Sequence, residues 1–281
     1  MPLTDGQWVR LEPLLPDRAP TRGGRWRDHR QVIDAIAWKF QTGSPWPQLP
    51  ERYGSWKGVY TRLRNWAIDG TWQRIFTALL AQADAEADLE WVVAVDSTVV
   101  RAHQHAAGAR KEGALEGEPN HHALGRSRGG LTTKIHLAAD GRCRPLAFVL
   151  TPGQAGDAPA FEQVMAALRV PRVHGRPRTR PDVVLADKAY SSRAIRTYLR
   201  RRGIRAVIPL PADQQVHRKR RGSRGGRPPA FDRDAYRQRN TVERCINRLK
   251  QWRGIATRYD KTATIYGAGL LIVGIFLWSI T

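Results

Sequence analysis

Two aspartates in this sequence each close a short, apolar, β-branched run. Asp96 ends Trp-Val-Val-Ala-Val-Asp, and Asp187 ends Asp-Val-Val-Leu-Ala-Asp. Runs of this kind read as buried strands. A carboxylate just past such a run lies at the strand's exposed carboxyl end, where open α/β sheets place their sites. If the two strands are neighbours, the carboxylates approach closely, and like charges repel unless a cation lies between them. Hard oxygen ligands with no thiol or clustered histidine nearby favour magnesium or manganese.

A third carboxylate, Glu243, stands among cations in Tyr-Arg-Gln-Arg-Asn-Thr-Val-Glu-Arg-Cys-Ile-Asn-Arg-Leu-Lys, residues 236–250. The spacing predicts one amphipathic helix. At ~100° per residue, Tyr236, Arg239, Glu243 and Lys250 fall within about 60° of one another, on a stripe about 20 Å long. Asn247 lies beside them, and Val242, Cys245, Ile246 and Leu249 take the opposite side. Read alone, Glu243 is equally a surface partner of Arg239 at i, i+4, a pair worth only about 0.2–0.5 kcal/mol. Read with Asp96 and Asp187, it completes a set of three carboxylates. Two cations about 4 Å apart on such a set perform phosphoryl transfer. One activates a water or a sugar 3′-hydroxyl, the other stabilises the leaving oxygen, and nearby cationic side chains position the phosphate backbone.

The elements that must hold these residues fall into three regions. The first, to about residue 88, is helical: apolar residues recur at helical spacing through Gln31–Gln41, Trp56–Ala67 and Trp72–Ala83. In the second of these, Trp56, Val59, Tyr60, Leu63, Trp66 and Ala67 share one face and Lys57, Thr61, Arg64 and Asn65 the other, with Ser55 as N-cap. This suits a helix-turn-helix module or a plain helical packing domain. The acidic stretch Asp84, Glu86, Asp88 and Glu90 reads as a solvated helix face. From about 91 to 212 the period changes. Three strands come first, the last two joined by a hairpin at Asp140-Gly141. A helix capped by Asp157 then runs to about Leu168, followed by the strand ending at Asp187, a helix over Ser191–Arg202 and a strand at Arg-Ala-Val-Ile-Pro. That order predicts an α/β sandwich with a mixed sheet. The basic segment 217–229, which holds Arg218, Lys219, Arg220 and Arg221 and no acid, reads as a mobile loop until it meets an anion. Residues 169–180 form a second basic connection. The apolar run Gly267–Ile280 is shorter than the about 20 residues a membrane span needs and reads as a core helix, and Trp252 as a core residue.

Composition limits the partners. The chain has 281 residues, enough for one large domain or a catalytic domain with a smaller one. Its 47 Lys+Arg against 25 Asp+Glu leave a net charge of +22. The excess points to a polyanion, most simply nucleic acid; an arginine-rich proteome is the plainer source. Cys143 and Cys245 lie far apart with no ligand-spaced neighbours, which speaks against a zinc site or a disulfide framework and suits a reducing cytosol. Met1 is followed by polar and charged residues, so no signal peptide is expected. His103, His105, His121 and His122 read as loop or DNA-proximal histidines, since magnesium prefers oxygen.

The stripe of Tyr236, Arg239, Glu243 and Lys250 resembles the Y-(2)-R-(3)-E-(6)-K signature of the DDE transposases of bacterial insertion sequences, of the IS4/IS5-like group, with every spacing kept. Val-Asp-Ser-Thr-Val-Val-Arg-Ala-His around Asp96 and Leu-Ala-Asp-Lys-Ala-Tyr around Asp187 look like that family's two aspartate blocks. Gly-Arg-Ser-Arg-Gly-Gly-Leu-Thr-Thr-Lys-Ile-His and Leu-Thr-Pro-Gly-Gln look like its intervening strands. The resemblance covers nearly the whole chain. One departure is Gly-Ser-Pro-Trp-Pro-Gln-Leu-Pro, where relatives usually carry Arg after Trp. Another is the short stretch before the Glu243 helix, which leaves no room for the large β insertion of some relatives.

The resemblance implies a ribonuclease-H-like, mixed five-stranded sheet flanked by helices, with an all-helical, helix-turn-helix-like N-terminal domain. The division would be 1–88 for DNA binding and 89–281 for catalysis, with the basic loop 213–231 inserted before the Glu243 helix. It implies Asp96, Asp187 and Glu243 as ligands of two Mg2+ or Mn2+ ions. It implies Tyr236, Arg239 and Lys250 as backbone contacts, with Asn247, Lys188, Arg126, Arg128, Lys134, Arg218, Lys219, Arg220, Arg221, Lys57 and Arg64 as further DNA contacts. The implied activity binds terminal inverted repeats on double-stranded DNA, frees a 3′-hydroxyl and joins it to target DNA. It would act as a homodimer in the synaptic complex, in the bacterial cytoplasm at the nucleoid, with no membrane and no small-molecule cofactor. A nuclease that cuts without joining, and a non-catalytic DNA-binding repressor, are the alternatives.

Overall fold

The computed structural model describes residues 2–17, 27–109, 118 and 120–280. In chain order the elements are α1 (Asp5–Leu11), α2 (His29–Thr42), α3 (Trp56–Ile68), α4 (Thr71–Ala85), β1 (Val92–Ala102), α5 (Gln104–Ala107), β2 (Gly125–Ser127), β3 (Gly130–Ala139), β4 (Pro145–Pro152), α6 (Asp157–Ala167), β5 (Val183–Ala186), α7 (Arg193–Arg201), β6 (Arg205–Val207), α8 (Ala212–Arg220), α9 (Arg233–Arg237), α10 (Asn240–Lys250), α11 (Arg253–Ala256), β7 (Thr257–Arg258) and α12 (Ala263–Ser279).

The five expected strands form a mixed sheet in the order β4-β3-β1-β5-β6, antiparallel across β4, β3 and β1 and parallel across β1, β5 and β6. This is the order of a ribonuclease-H-like core, flanked by helices and preceded by a helical N-terminal region. Two short strands were not expected: β2 extends the hairpin edge of β3, and β7 pairs with the last residues of β1. β3 holds one edge of β1 from Ala94 to Arg101. β5 and β7 therefore share the other edge, one at Val92–Val95 and one at Arg101–Ala102. Between them β1 has no strand partner on that side among the described residues, and this gap is where α10 lies: Lys250 Nζ donates to the Val99 carbonyl at 3.5 Å.

α12 is the pillar of the core. It is apolar and buried on nearly every side, as expected for a core helix, and packs on β4 and on α1, α2, α3 and α4. Its Trp278 Nε1 donates to the Pro145 carbonyl at 2.6 Å. Its N-terminus is closed by Thr262 and by the Glu118 carboxylate, which accepts from the Ala263 and Thr264 amides. One continuous cluster of buried apolar residues therefore runs from Leu3 in the helical region to Trp278. Trp252 lies in that cluster, and both cysteines are buried and free. Among the described residues no helix is long and apolar enough to cross a membrane.

Several local expectations are corrected. The acidic stretch is not simply solvated: Asp84 accepts from Trp91 Nε1 at 2.7 Å, and Asp88 is clamped by Arg142 and Arg144. The β3–β4 hairpin spans five residues rather than a two-residue turn, because Asp140 is buried and its carboxylate gathers the Arg142 and Arg144 amides and the Arg144 guanidinium. Residues 217–220 are helical, as the end of α8. The predicted helix over 236–250 is two helices, α9 and α10, separated by a turn at Gln238 and Arg239. Ser55 holds the N-cap position of α3 without a capping hydrogen bond.

Close helix contacts depend on glycine. A Cβ on Gly269 would lie 2.5 Å from the Phe40 ring, and one on Gly274 would lie 2.7 Å from the Phe76 ring. Gly269→Val is expected to destabilise the fold by about 1–3 kcal/mol through overpacking, read as a lower urea midpoint at unchanged m-value.

Candidate active site

The register of two strands builds the site. β1 and β5 pair in parallel up to Val95↔Ala186, so Asp96 and Asp187 are the next residues on neighbouring chains. Asp187 leaves the sheet and its Oδ1 caps the short turn Lys188–Tyr190 through the Ala189 amide at 2.9 Å. Asp96 does not end its strand, contrary to expectation. β1 continues to Ala102 because β3 supports it on the other edge, and what ends at Val95 is only the pairing with β5.

Glu243 arrives from the opposite end of the chain. α10 turns Val242, Cys245, Ile246 and Leu249 inward against β1 and β3 and leaves Glu243 exposed. The link is Arg239, in the turn before α10. Its Nη1 donates to Asp96 Oδ2 at 2.9 Å, and its Nη2 pairs with Glu243. The surface pair read from the sequence is thus present, and it is extended to a carboxylate 143 residues away.

The charges report their surroundings. Burial raises the Asp96 carboxyl above the usual range, and Asp187 adds to the rise; the Ser97 amide and Arg239 oppose it without cancelling it. Burial acts to lower Arg239, but Asp96 and Glu243 outweigh it and hold the guanidinium above its ordinary value. Burial lowers Lys250. The three carboxylates offer the hard oxygen donors that a divalent cation takes. In this arrangement a guanidinium fills the space between two of them, and among the described residues no three ligating side chains converge on one point.

Behind Asp96 lies a polar cluster that sequence reasoning missed. Asp157, expected to cap a helix, is instead the first residue of α6, after Gly156. Its Oδ1 accepts from Ser97 Oγ at 2.6 Å and from Lys134 Nζ at 3.0 Å. Burial alone would raise the Asp157 carboxyl, but these two donors and the Lys134 charge hold it below its ordinary value. Lys134, read as a DNA contact, is turned inward and also donates to the Ala155 carbonyl at 2.7 Å. His136 faces Ser97 across the β1–β3 pair, with Nε2 2.8 Å from Thr151 Oγ1. The Tyr190 hydroxyl is buried close to Asp157, Asp96 and Asp187; burial, reinforced by those charges, pushes it up. A signal was present in the sequence: Lys134 and His136 are alternate residues of one strand, and so share a face.

The other candidate residues are dispersed. Lys188 is exposed beside Asp187, Asn247 is exposed on α10, and Tyr236 packs on Phe231 with the Arg239 guanidinium 5.9 Å from its ring centroid. Arg126 and Arg128 are exposed at the β2–β3 edge. Arg218, Lys219, Arg220 and Arg221 cluster at the end of α8; Lys57 is exposed on α3 and Arg64 half-buried.

A family model described as a transposase of the IS4/5 family matches residues 3–76, and one for the transposase DDE domain matches residues 88–278. The protein y4sN of Sinorhizobium fredii is 40% identical over 109 residues, which cover 39% of this chain and 83% of that one. A protein of Burkholderia cepacia, described as a transposase for insertion sequence element IS402, is 32% identical over 139 residues, covering 49% of this chain and 58% of that one. A pre-cleavage Mos1 transpososome superposes with a TM-score of 0.27 at 14% identity, over 85% of this chain and 82% of that one, a likeness too loose to bear on the site.

Burial, helped by Lys134 and opposed by Asp157, pushes His136 down to about 4. The unfolded chain, with an ordinary histidine pKa near ~6.5, then binds the proton first as pH falls. Stability contributed by the neutral ring is complete above about pH 6.5 and is lost as pH falls towards about 4. Between pH 7 and 5 the loss is expected to be about 2 kcal/mol. Urea midpoints at the two pH values check it, and a His136→Gln variant should lack that part of the slope.

Proposed function

The chain belongs to the DDE transposases of the IS4/5 type, and from that premise we propose that Asp96, Asp187 and Glu243 are its catalytic and metal-binding carboxylates. The observation that carries this reading is the β1–β5 register, which ends at Val95 and Ala186 and delivers two carboxylates to one place with Glu243 tied in through Arg239. The substrate is double-stranded DNA at the element's terminal inverted repeats, with cleavage followed by joining of the 3′-hydroxyl to target DNA.

Asp96, Asp187 and Glu243 would hold two Mg2+ or Mn2+ ions, which would supply activation of the attacking oxygen and stabilisation of the leaving oxygen. Everything else is work for side chains. Asp96, half-buried with its pKa raised, gains from a cation and holds its position through the Ser97 amide at 2.7 Å. Arg239, which here bridges Asp96 and Glu243, would release them when those carboxylates hold a metal. A phosphate of the DNA then offers the guanidinium an equivalent anionic partner. Lys188 next to Asp187, Lys250 on the helix of Glu243 and Tyr236 beside Arg239 suit backbone positioning, which fixes register without reading sequence. Residues 1–88 would add DNA contacts through Lys57 and Arg64, and residues 89–281 would carry the chemistry. Two copies would meet when two ends are paired.

Asp96→Asn, Asp187→Asn and Glu243→Gln are each expected to lower metal-dependent end cleavage by more than about a hundredfold, beyond what loss of an outer-shell group costs, with binding of the end duplex retained. Undiminished cleavage by any one of them sinks that residue's assignment. Cleavage without joining of a pre-cut 3′-hydroxyl end would favour the nuclease reading, and binding without cleavage the repressor. Alanine at Arg218, Lys219, Arg220 and Arg221 together should reduce the slope of log K against log salt by up to about 3–4; an unchanged slope would remove α8 from the interface.

A further inference from the structure

Where the N-terminal helices meet the far end of β1, two adjoining chambers of about 530 and 220 Å³ open beside each other. Trp46, Trp56, Tyr259 and Asp260 line both. The larger lies in the range of small-ligand sites, ~300–1,000 Å³. The walls are aromatic. Trp46 meets Tyr60 edge to face with ring centroids 5.5 Å apart, and Tyr259 lies against His103 at 5.0 Å. These four rings and Trp56 are half-buried, so their faces are not used up in packing.

The polar end of the cleft is a buried pair. Lys39 Nζ is 3.5 Å from Asp260 Oδ1, with the side chains only 3% and 6% exposed. The same ammonium lies 5.5 Å from the Trp46 ring centroid and 5.9 Å from that of Tyr259. Asp260 Oδ2, though buried, has no hydrogen-bond partner. A buried acceptor left unpaired is unfavourable until something donates to it. Flat apolar walls with one free acceptor and one cationic donor at the end match a flat heterocycle that carries N–H groups on its edge.

We propose that this cleft takes a single unpaired base of the DNA, stacked on the Trp46, Trp56 and Tyr259 rings, with an edge N–H group donating to Asp260 Oδ2 and an edge oxygen or nitrogen accepting from Lys39. The inference rests on the reading of the chain as one that handles DNA. The path to the cleft is cationic. From Asp96 to His103 is seven residues of β1 and the residue after it, ~23 Å at strand rise. Along that path Lys250 reaches the Val99 carbonyl, and Lys57 is exposed next to Trp56. A backbone held over the carboxylates would thus pass the cleft a few nucleotides away, and every base has a face that an aromatic ring can stack on.

The full chain, without divalent metal, is titrated into two labelled duplexes that differ only in one bulged 2-aminopurine. Anisotropy reads affinity, and 2-aminopurine fluorescence reads stacking. The bulged duplex should bind more tightly, with its fluorescence quenched. Trp46→Ala and Trp56→Ala should each weaken it by about tenfold and relieve the quenching, while the fully paired duplex binds as before. Asp260→Asn, which keeps the shape and most of the size, should reduce the preference for the bulge with the quenching largely retained. Equal affinity for the two duplexes, or unquenched fluorescence in the bound wild-type complex, would overturn the cleft assignment and leave the DNA reading standing. Failure to bind either duplex would overturn both.

Discussion

Two like charges set side by side by backbone register are the constraint on which this protein's arrangement depends. A one-residue slip of the parallel pair would separate Asp96 from Asp187, but it would also exchange the side chains that the strand packs into the buried layers on its two faces. Val93, Val95, Val184 and Ala186 are all fully buried, so the register is held by the core on both strands. The repulsion is therefore built in, and the structure answers it with cations rather than by moving the carboxylates.

Arg239 is the nearest of those cations, and its position explains why α9 and α10 are not one helix. In a continuous helix Arg239 and Glu243 would be a surface pair of small value, screened by salt. The turn at Gln238 and Arg239 directs the guanidinium to Asp96 as well, which is mostly shielded from water and short of a partner. Asp157 and Lys134 repeat the pattern one step deeper. That carboxylate too is near the site, but it is satisfied by Ser97 and Lys134 and held below its ordinary pKa, whereas Asp96 remains above it. The difference separates a carboxylate that locks β1 to α6 from one whose burial Arg239 offsets only in part.

Much of this was legible in the sequence. The strand runs before Asp96 and Asp187, the buried face of α10 and the core helix α12 each follow from a local period that packing then enforces. The elements that were misread depend on distant partners. β1 outlasts its apolar run because β3 holds its other edge as far as Arg101, and no window of sequence contains both strands. The Asp140 turn is long because Arg144, which closes over that buried carboxylate, is also held by Asp88, 56 residues earlier. The role of Asp157 depends on a serine 60 residues earlier.

The basic segment shows the limit of reasoning from composition. A stretch with so few apolar residues cannot build a core, and α8 indeed buries none of its residues, Val216 included. Lack of a core does not forbid a helix, however. Asp213 lies in the first turn, and His217, Arg218, Lys219 and Arg220 in the last, the distribution that complements the helix dipole. Pro211, just outside the first turn, ends the preceding strand region and suits a helix start. Gln214 ties the helix back to Ser191 through its amide, 2.6 Å from that carbonyl, and Ser191 lies four residues past Asp187. The cations at its end are consequently carried on a short rigid element anchored next to the second aspartate, and a polyanion meeting them would lose less chain entropy than it would on binding a free loop.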